Sequence, residues 1–536
     1  MMPVRSDVNI FVNRDKCYVC GICVDRCIMD NLRLFLAPCR AACPIHMNCQ
    51  GYVRLIAQGK EEEAAKEMRK DLPFAGIVGR VCHRPCEEKC ERNKVDNQAV
   101  HIRALKRYLA DTRPESAGAP FPAGERTGKR IAIVGSGPAG LMAAHELTVK
   151  GHDVTVFDSA SSPGGMLRWG IPAFRLPLSE ITTAIDMLEK MGVVFKTGMA
   201  LGRELDAEKL ECEWDCVLLA TGAGPAAKLK IPGEDLPGVF QGLDLLRKAR
   251  EGQDFKIGNR VIVIGGGNVA VDTALTCRKL GATEVNLICL EEKGRMPAFQ
   301  AEVEEAIEEG IKIQDCWGPR KIHQNGKHEL TVDLSRCLRV FDERGLFCPE
   351  LENSCGLSPS AESIVVAIGQ RPDFSGYPAD LRPSNGKKFM ADPLTLQTRR
   401  PKVFAAGDVV SGPGSVIEAM AKGREAAISM DRFLSGETLR WGRAYGNGAT
   451  LTEFPIDRSN AIQRPRAILT RLPFKERGIR TEVEKTLDAK AAQEEAERCL
   501  NCGKPAEVNQ TCWYCLPCEI ECPVDALEVR LPYLVR

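Results

Sequence analysis

Two cysteine runs at opposite ends of the chain constrain the fold more than any other feature of the sequence. Cys17-x2-Cys20-x2-Cys23-x3-Cys27 opens it, and Cys512-x2-Cys515-x2-Cys518-x3-Cys522-Pro523 closes it. Sixteen of the 24 cysteines crowd into the two terminal regions, ten within residues 17–90 and six within 499–522. A disulfide framework suits small secreted chains. This chain has 536 residues, and Met1 to Asn13 lack the apolar core of an export signal. Grouped thiolates therefore point to metal or cluster ligation. The remaining eight (Cys212, Cys216, Cys277, Cys289, Cys316, Cys337, Cys348 and Cys355) are scattered and read as ordinary buried thiols.

The spacing of both runs resembles that of a bacterial ferredoxin. There each run gives three ligands to one [4Fe–4S] cluster and its fourth cysteine to the other. Two runs at opposite ends then imply one ferredoxin-like lobe built from both termini. Cys17, Cys20, Cys23 and Cys522 would hold one cluster, and Cys512, Cys515, Cys518 and Cys27 the other. Two independent half-lobes are the alternative. Ile28 stands where the first run would carry its proline. Zinc also binds CxxC pairs, but two full runs with a three-residue last spacing favour the cubane.

Between the termini the pattern turns twice to strand, turn and helix. Arg130-Ile-Ala-Ile-Val-Gly135-Ser-Gly137-Pro-Ala-Gly140 is an apolar strand running into GxGxxG. In such a turn Gly135 permits the bend, Gly137 admits the pyrophosphate and Gly140 lets helix and strand pack closely. The phosphates sit on the helix N-terminus. Asp158 ends the next strand, 18 residues past Gly140, where a ribose hydroxyl needs an acceptor. A second strand, Val261 to Ile264, leads into Gly265-Gly-Gly267-Asn268-Val269-Ala270, a GxGxxA turn. Glu291, 21 residues past Ala270, takes its acidic ribose position. A carboxylate there accepts bonds from free 2′- and 3′-hydroxyls and repels the extra phosphate of NADPH, which favours NADH. The alternative makes Glu291 a solvated strand end, with Lys293 or Arg295 holding a 2′-phosphate.

Gly164-Gly165-Met166-Leu167 and the late strand Val403 to Ala406, ending in Gly407-Asp408, resemble the two-dinucleotide-binding flavoproteins. That resemblance implies that Asp408 bonds the ribityl or phosphate region of FAD. It also implies that Ser415, Val416 and the following helix lie beneath the isoalloxazine. Gly165-Met-Leu-Arg-Trp-Gly170-Ile-Pro-Ala-Phe-Arg175-Leu-Pro177, the Gly-Gly-Gly-Asn turn and Arg295-Met-Pro-Ala298 look like two more specific relatives. These are the glutamate synthase small subunit and the N-terminal electron-input half of dihydropyrimidine dehydrogenase, over roughly residues 37–440. The resemblance adds Leu167, Arg175, Thr221, Gly222 and Gly369 as cofactor contacts. Relatives that use NADPH typically carry paired arginines where this chain has Leu290-Glu291.

In those relatives the equivalents of Cys43, Cys82, Cys86 and Cys90 bind one cluster. The equivalent of Cys39 joins a CxxC pair and a non-cysteine side chain to bind another. No such pair precedes Cys39 here, and Cys499-Leu-Asn-Cys502 carries its sequence instead. The C-terminal pair is therefore expected to fold back beside Cys39. The non-cysteine position falls on Lys106, whose ammonium cannot ligate. Cys49 is either its substitute or a core thiol.

The expected architecture is α/β, with two Rossmann-like dinucleotide-binding domains of the two-dinucleotide-binding flavoprotein type, for FAD and for NAD. A helical iron–sulfur domain precedes them, and ferredoxin-like α+β segments flank them at both termini. The expected boundaries are 1–36 for the N-terminal ferredoxin-like half and 37–127 for the helical domain. The FAD domain takes 128–245 and 360–440, and the NAD(P) domain 246–359. Residues 441–498 are a linker with helix over Thr481 to Arg498, and 499–536 are the C-terminal half-lobe. Pro114 to Gly128 reads as a further linker. Sixteen ligands (Cys17, Cys20, Cys23, Cys27, Cys39, Cys43, Cys49, Cys82, Cys86, Cys90, Cys499, Cys502, Cys512, Cys515, Cys518 and Cys522) suffice for about four clusters. No catalytic side chain is required, because the flavin N5 carries the hydride.

A net charge of +1 leaves no footprint for nucleic acid, and no apolar run is long enough to enter a bilayer as a span. The expected function is a cytoplasmic NADH:ferredoxin-type oxidoreductase. It would be the electron-input or electron-output subunit of a hetero-oligomeric complex, with a ferredoxin or a larger iron–sulfur subunit as partner. The alternatives are an NADPH-dependent glutamate synthase small subunit, an electron-bifurcating flavoprotein, and a zinc-bearing scaffold with a degenerate flavin fold.

Overall fold

The computed structural model describes residues 9–28, 31–114, 124–253, 255–326, 329–354, 356–383, 389–441, 443, 450–459, 461–507 and 512–530. Most of the linker expected over Pro114 to Gly128 thus lies outside the described residues. Two parallel five-stranded sheets form the centre. The first runs, in spatial order, Val403–Ala405, Cys216–Leu219, Arg130–Val134, Asp153–Phe157 and Val194–Lys196. The second runs Lys312–Gln314, Glu284–Ile288, Arg260–Ile264, Ser363–Val366 and Val239–Gln241. The strand RIAIV in one and RVIVI in the other bury their last four residues, as strands covered on both faces require. Each then turns directly into a helix, Pro138–Val149 and Asn268–Lys279.

The second sheet contains two strands, Val239–Gln241 and Ser363–Val366, that the expected boundaries gave to the FAD domain. They are the ends of the two crossovers between the nucleotide domains. Those crossovers run side by side, with the Ala227 N–H on the Gly369 carbonyl at 2.9 Å and the Arg371 N–H on the Pro225 carbonyl at 3.0 Å. Crossovers carry no motif, so motif spacing sets the boundary too far inside.

The helical domain comprises Cys49–Ala57, Glu61–Asp71, Ala75–Val81 and Ile102–Thr112, with shorter turns between. The apolar residues at helical spacing over Gly51 to Leu72 fall in two of these helices, divided at Gly59, which takes a left-handed φ of 71°. Tyr52, Leu55 and Leu105 pack in the same apolar core as Leu141, Ile181 and Met420 of the first nucleotide domain. These two units therefore share one interior.

Both termini meet in one lobe. Ile10–Val12 pairs antiparallel with Leu527–Val529, Ile10 opposite Val529 and Val12 opposite Leu527. Leu32–Phe35 is flanked by Lys504–Glu507 and Thr450–Leu451. Ile10, Val24, Leu32, Leu34, Cys518 and Leu527 close its small core. Among the described residues no helix is long and apolar enough to cross a membrane.

The stretch Thr481 to Arg498 is helical only over Ala489–Glu497, which Asp488 caps by accepting the Ala491 N–H at 2.8 Å. Residues 464–486 instead form an irregular strap that doubles back on itself, with Arg471 bridged antiparallel to Glu484. Buried arginines of the helical domain override the helix propensity of Glu482 and Glu484. Arg80 and Arg107 meet Glu482 at 2.7 and 2.8 Å, and Arg103 forks onto both oxygens of Glu484 at 2.8 and 2.7 Å. On its other edge the strap reaches the second nucleotide domain, with Arg471 on Glu308 at 3.1 Å and Arg477 on Glu309 at 3.2 Å.

Replacing Glu484 by alanine strands the Arg103 guanidinium and should cost about 2–3 kcal/mol of strap closure. Tryptic cleavage at Arg477 and Arg480 should then accelerate at least about tenfold. An unchanged cleavage rate would show that other contacts hold the strap.

Candidate active site and cluster sites

The two glycine turns are built alike. A side chain on Gly135 (φ 110°) would strike the Ala220 carbonyl, and one on Gly265 (φ 145°) the Ala367 carbonyl. Both turns therefore need glycine for steric reasons as well as for their left-handed backbone. Gly140 backs onto the Gly135 carbonyl, and Ala270 onto Gly265. The middle glycines differ in kind: nothing stands within 4 Å of a Cβ position at Gly137 or Gly267. Each leaves open space at a helix N-terminus, the kind of cradle that can receive a pyrophosphate.

Asp158 lies against the first turn and braces it, accepting the Ser136 N–H at 2.9 Å, the Ser136 hydroxyl, and the Ala160 N–H at 2.8 Å. Glu291 lies against the second, its Oε2 2.5 Å from a Cβ position on Gly266. Lys293 and Arg295 are exposed, and Arg295 leans towards Glu292 at 3.8 Å. Asn268 accepts the Phe299 N–H at 3.2 Å and donates to Glu302 at 2.9 Å. The Ala298 N–H donates to the Gly266 carbonyl at 3.1 Å, which folds the Arg295–Ala298 segment onto the turn. Val269 packs on the second domain's core.

A cavity of about 1030 Å³ opens between three units. Met166, Gly170, Gln370, Asp408, Ser415 and Val416 face it from the first nucleotide domain, Gly267, Asn268 and Val269 from the second. Cys82, His83 and Arg84 close it from the helical domain, and strap residues cover one side. Burial pushes the Asp408 carboxyl up to about 6, against the Gly414 N–H that lowers it. Ser415 caps the helix Val416–Leu434 in a reciprocal pair with Glu418. Gly165 backs onto Gly137, Gly407 onto the Ala139 side chain, and Leu167 is fully buried. Thr221 is hydrogen-bonded to the Tyr377 hydroxyl, and Gly222 and Gly369 face open space.

Arg175, expected as a cofactor contact, lines this cavity but is committed to the second domain's carboxylates. It bonds Asp272 and meets Glu305 at 2.9 Å, with Glu302 at 3.9 Å. Burial pushes the Glu302 carboxyl up, Arg175 pulls it down, and Asp272 and Glu305 push it up again. Arg175 thus clamps one nucleotide domain to the other. Sequence reasoning also missed the His83–Phe299 stack, with ring centroids 5.7 Å apart and planes 14° from parallel, which joins the helical and second nucleotide domains. Its one sequence signal is the position of Phe299 directly after Arg295-Met-Pro-Ala298.

The cysteines gather in groups. Cys17, Cys20, Cys23 and Cys522 line one small void. Burial first, then Cys27, Cys512 and Cys515, push the Cys518 thiol up to about 11, so these four form a second group. Cys39, Cys499 and Cys502 line a third void, with Cys49 and Cys90 on its wall. Gln50, which sequence reasoning also missed, fixes this CxxC loop. It accepts the Gly503 N–H at 3.0 Å and donates to the Gly503 carbonyl at 2.9 Å. Cys43, Cys82 and Cys86 form the fourth group around the buried Lys106. Burial lowers the Lys106 pKa and Cys82, Cys86, Cys49 and Cys43 raise it, with a net rise. Cys43 and Cys86, with burial, push the Cys49 thiol up, and Cys49 also lines the third void with Cys90, so these two stand between the two inner groups.

Among the described residues no three or more His, Cys, Asp or Glu side chains converge as a single metal ion would require. Thiols ringing a void fit a cubane better than a zinc ion bound at ~2.3 Å by every sulfur. Buried thiols ionise only beside compensating positive charge, which cluster iron supplies.

The pyridine nucleotide-disulphide oxidoreductase family matches residues 129–423. Dihydropyrimidine dehydrogenase domain II, 4Fe-4S cluster, matches residues 14–117. The chain is 33% identical over 503 residues to the NADP(+)-dependent formate dehydrogenase subunit beta of Moorella thermoacetica, covering 87% of this chain and 70% of that one. It is 30% identical over 550 residues to the NADPH-Fe(3+) oxidoreductase subunit beta of Geobacter sulfurreducens, covering 94% and 81%. With the NAD-dependent dihydropyrimidine dehydrogenase subunit PreT of Escherichia coli K12 it shares 33% over 403 residues, covering 75% and 92%. Mycobacterium tuberculosis FprA in complex with NADPH is alike in fold, with a TM-score of 0.50 over 58% of this chain and 85% of that one, at 19% identity.

The contrast between the glycines is testable. Gly267→Val places its side chain in open space, so the protein should fold and keep its flavin absorbance. Flavin bleaching by NADH should slow at least about a hundredfold, because the valine occupies the pyrophosphate cradle. Gly265→Ala, which meets a carbonyl, should instead lower the yield of folded protein. Normal bleaching in Gly267→Val would remove the nucleotide from this turn.

Proposed function

The chain belongs to the pyridine nucleotide-disulphide oxidoreductase family, and on that premise we propose that it exchanges a hydride between NAD(H) and FAD and moves electrons singly through four [4Fe–4S] clusters. It is an oxidoreductase of the kind that uses NAD(P)H, flavin and iron–sulfur. The finer proposal is a cytoplasmic NADH:iron–sulfur oxidoreductase, working as the nucleotide-reactive subunit of a larger redox complex. The relatives named above are likewise called subunits, and their names include both NAD and NADP.

The observation that carries this reading is the shared cavity. Asp408 and Ser415 of the flavin domain, Gly267 and Asn268 of the second turn, and Cys82 all face one space. Bound FAD would supply the conversion between a two-electron hydride and single electrons. The chain's part is positional. Gly137 and Gly267 leave room for two pyrophosphates, Arg175 fixes the two domains against each other, and the strap shields one side from water. Cys82 belongs to the cluster group nearest the flavin domain, so electrons need not cross solvent. For the ligands we propose Cys17, Cys20, Cys23 and Cys522 on one cluster and Cys27, Cys512, Cys515 and Cys518 on a second. The eight inner cysteines, Cys49 and Cys90 included, would hold two more.

Glu291 supports NADH. A carboxylate against the glycine turn can accept two ribose hydroxyl bonds worth about 1.5–3 kcal/mol and opposes a 2′-phosphate. Anaerobic stopped-flow should show flavin bleaching at least about tenfold faster with NADH than with NADPH. Glu291→Arg should narrow or reverse that ratio. Equal rates in the parent protein would refute the assignment.

The shared lobe has its own test. Cys522→Ser should disturb the cluster held by the N-terminal run, and Cys27→Ser the one held by the C-terminal run. Electron paramagnetic resonance and iron content would read both. Loss confined to each cysteine's own run would favour independent half-lobes. Freshly prepared protein without FAD or inorganic sulfide would sink the whole reading.

A further inference from the structure

The two halves of the ferredoxin-like lobe follow the same cysteine spacing but differ in what covers them. Around the inner group, the neighbours of the cysteines are buried: Tyr18 is 9% exposed, Val19 3% and Val24 7%. Val19 and Val24 pack in the lobe's own core, and the chain's helical domain covers Tyr18. Tyr18 sits in that domain's core, its carbonyl accepts the Asn48 side-chain amide at 3.3 Å, and Arg40 donates to the Val19 carbonyl at 3.2 Å.

Around the outer group the pattern inverts. Each of its four cysteines has an exposed apolar residue within two positions. Ile28 follows Cys27 and is 71% exposed, and Trp513 follows Cys512 at 72%. Leu516 follows Cys515, and Ile520 lies two past Cys518 at 75%. Trp513 occupies in its run the place that Tyr18 occupies in the first. Cys515 is itself exposed.

We propose that Ile28, Trp513, Leu516 and Ile520 form the docking surface for a stably bound protein subunit that carries an iron–sulfur cluster near its own surface. The inference rests on the functional reading above. The chain's own construction argues for the occupant: a folded protein domain covers Tyr18 in the inner half, and Trp513, at the same place in the outer run, lies 72% exposed. The charges nearby argue for a lasting contact. Arg26 and Glu521 pair with each other at 2.7 Å across the two halves, so these two charges beside the patch are mutually neutralised. Transient electron-transfer partners meet through small interfaces, often steered by charge, whereas permanent subunits meet through apolar ones. Large exposed apolar residues beside a redox centre fit the second case. The electron balance is simple. Each NADH oxidised to NAD⁺ releases one proton and two electrons, and the partner's cluster accepts the electrons one at a time across this surface.

The test uses the complex purified through a tag on this chain from its native host. In that complex, hydrogen exchange over residues 24–28 and 512–521 should be slower than in the isolated chain. The purified partner should contain iron and sulfide, and NADH should reduce it. The triple variant Ile28→Ser, Trp513→Ser, Ile520→Ser should lose the partner, with NADH-driven partner reduction falling at least about tenfold, since central aromatic anchors dominate such interfaces. Iron content and NADH-driven ferricyanide reduction by the isolated variant should stay unchanged. Loss of ferricyanide reduction in the parent chain would indict the functional reading instead. Unprotected segments in the complex, or a variant that keeps its partner and its rate, would overturn the docking surface. So would light scattering that shows the patch pairing two copies of this chain.

Discussion

One buried cation holds the two ends of this chain in a single object. Arg498 is fully buried. Its guanidinium donates to Glu495 at 2.8 Å and to the carbonyls of Gln98 at 2.7 Å, Arg464 at 3.0 Å and Ala99 at 3.3 Å. Arg92, equally buried, donates to the Arg498 carbonyl at 3.3 Å and to Asp96 at 2.6 Å. A charge removed from water persists only when its donors are met, so this geometry specifies where the chain must arrive after its long excursion through both nucleotide domains. Cys499 is the next residue. Gln50 then seats Gly503, and Lys504–Glu507 adds to the sheet edge at Leu32–Phe35. Assembly of the cysteine lobe follows from that return, and its contacts span nearly the whole chain, which makes them late and slow to form.

The cysteine groups lie in file from the cavity to the surface. Cys82 faces the cavity. Burial, then Cys499, Cys86 and Cys90, push the Cys39 thiol up, so the first inner group adjoins the second. Arg14, whose guanidinium meets the Asn501 carbonyl at 2.7 Å, lowers the thiols of both Cys502 and Cys17 against their burial. It therefore stands between the second and third groups. Cys23 is pushed up by burial first and by Cys518 among its neighbours, which joins the third group to the fourth. At the far end of this line Cys515 is exposed, whereas Cys43, Cys82 and Cys86 of the first group are buried thiols. Protein covers the middle of the file and leaves its two ends accessible, the arrangement a conductor between a nucleotide pocket and a partner needs.

What the sequence displays openly is whatever local sterics or ligand counting decides. The glycine turns are legible because Gly135 and Gly265 follow their strands directly and take positive φ of 110° and 145°, a local backbone demand that only glycine meets without strain. The cysteine runs are legible because a cluster needs four thiolates at reachable spacing. Features that depend on a distant partner are hidden. Glu482 and Glu484 look helical until Arg80, Arg103 and Arg107 draw them into a non-helical strap. Arg175 sits in a motif that points to the cofactor, yet its partners Asp272 and Glu305 come from the other nucleotide domain. The i,i+3 spacing of Glu302 and Glu305 is a faint trace of that pairing. The crossover strands Val239–Gln241 and Ser363–Val366 take their identity from the sheet they join, which no window of sequence contains.

The way the units are joined separates what is rigid from what can move. The helical domain and the first nucleotide domain share one apolar core, so the flavin site and the inner cysteines are fixed in a single interior. The second nucleotide domain has its own core, which only Phe174 from the first domain and Val483 from the strap enter among the described residues. Besides the His83–Phe299 stack, its ties named here are polar: Arg175 to Asp272 and Glu305, Arg471 to Glu308, and Arg477 to Glu309. Interfaces of that kind permit relative motion between domains where a shared core forbids it. A nucleotide that must enter, react and leave on each turnover is thus held on the one unit fastened by ion pairs. The groups that must keep a fixed spacing for electron transfer are buried together.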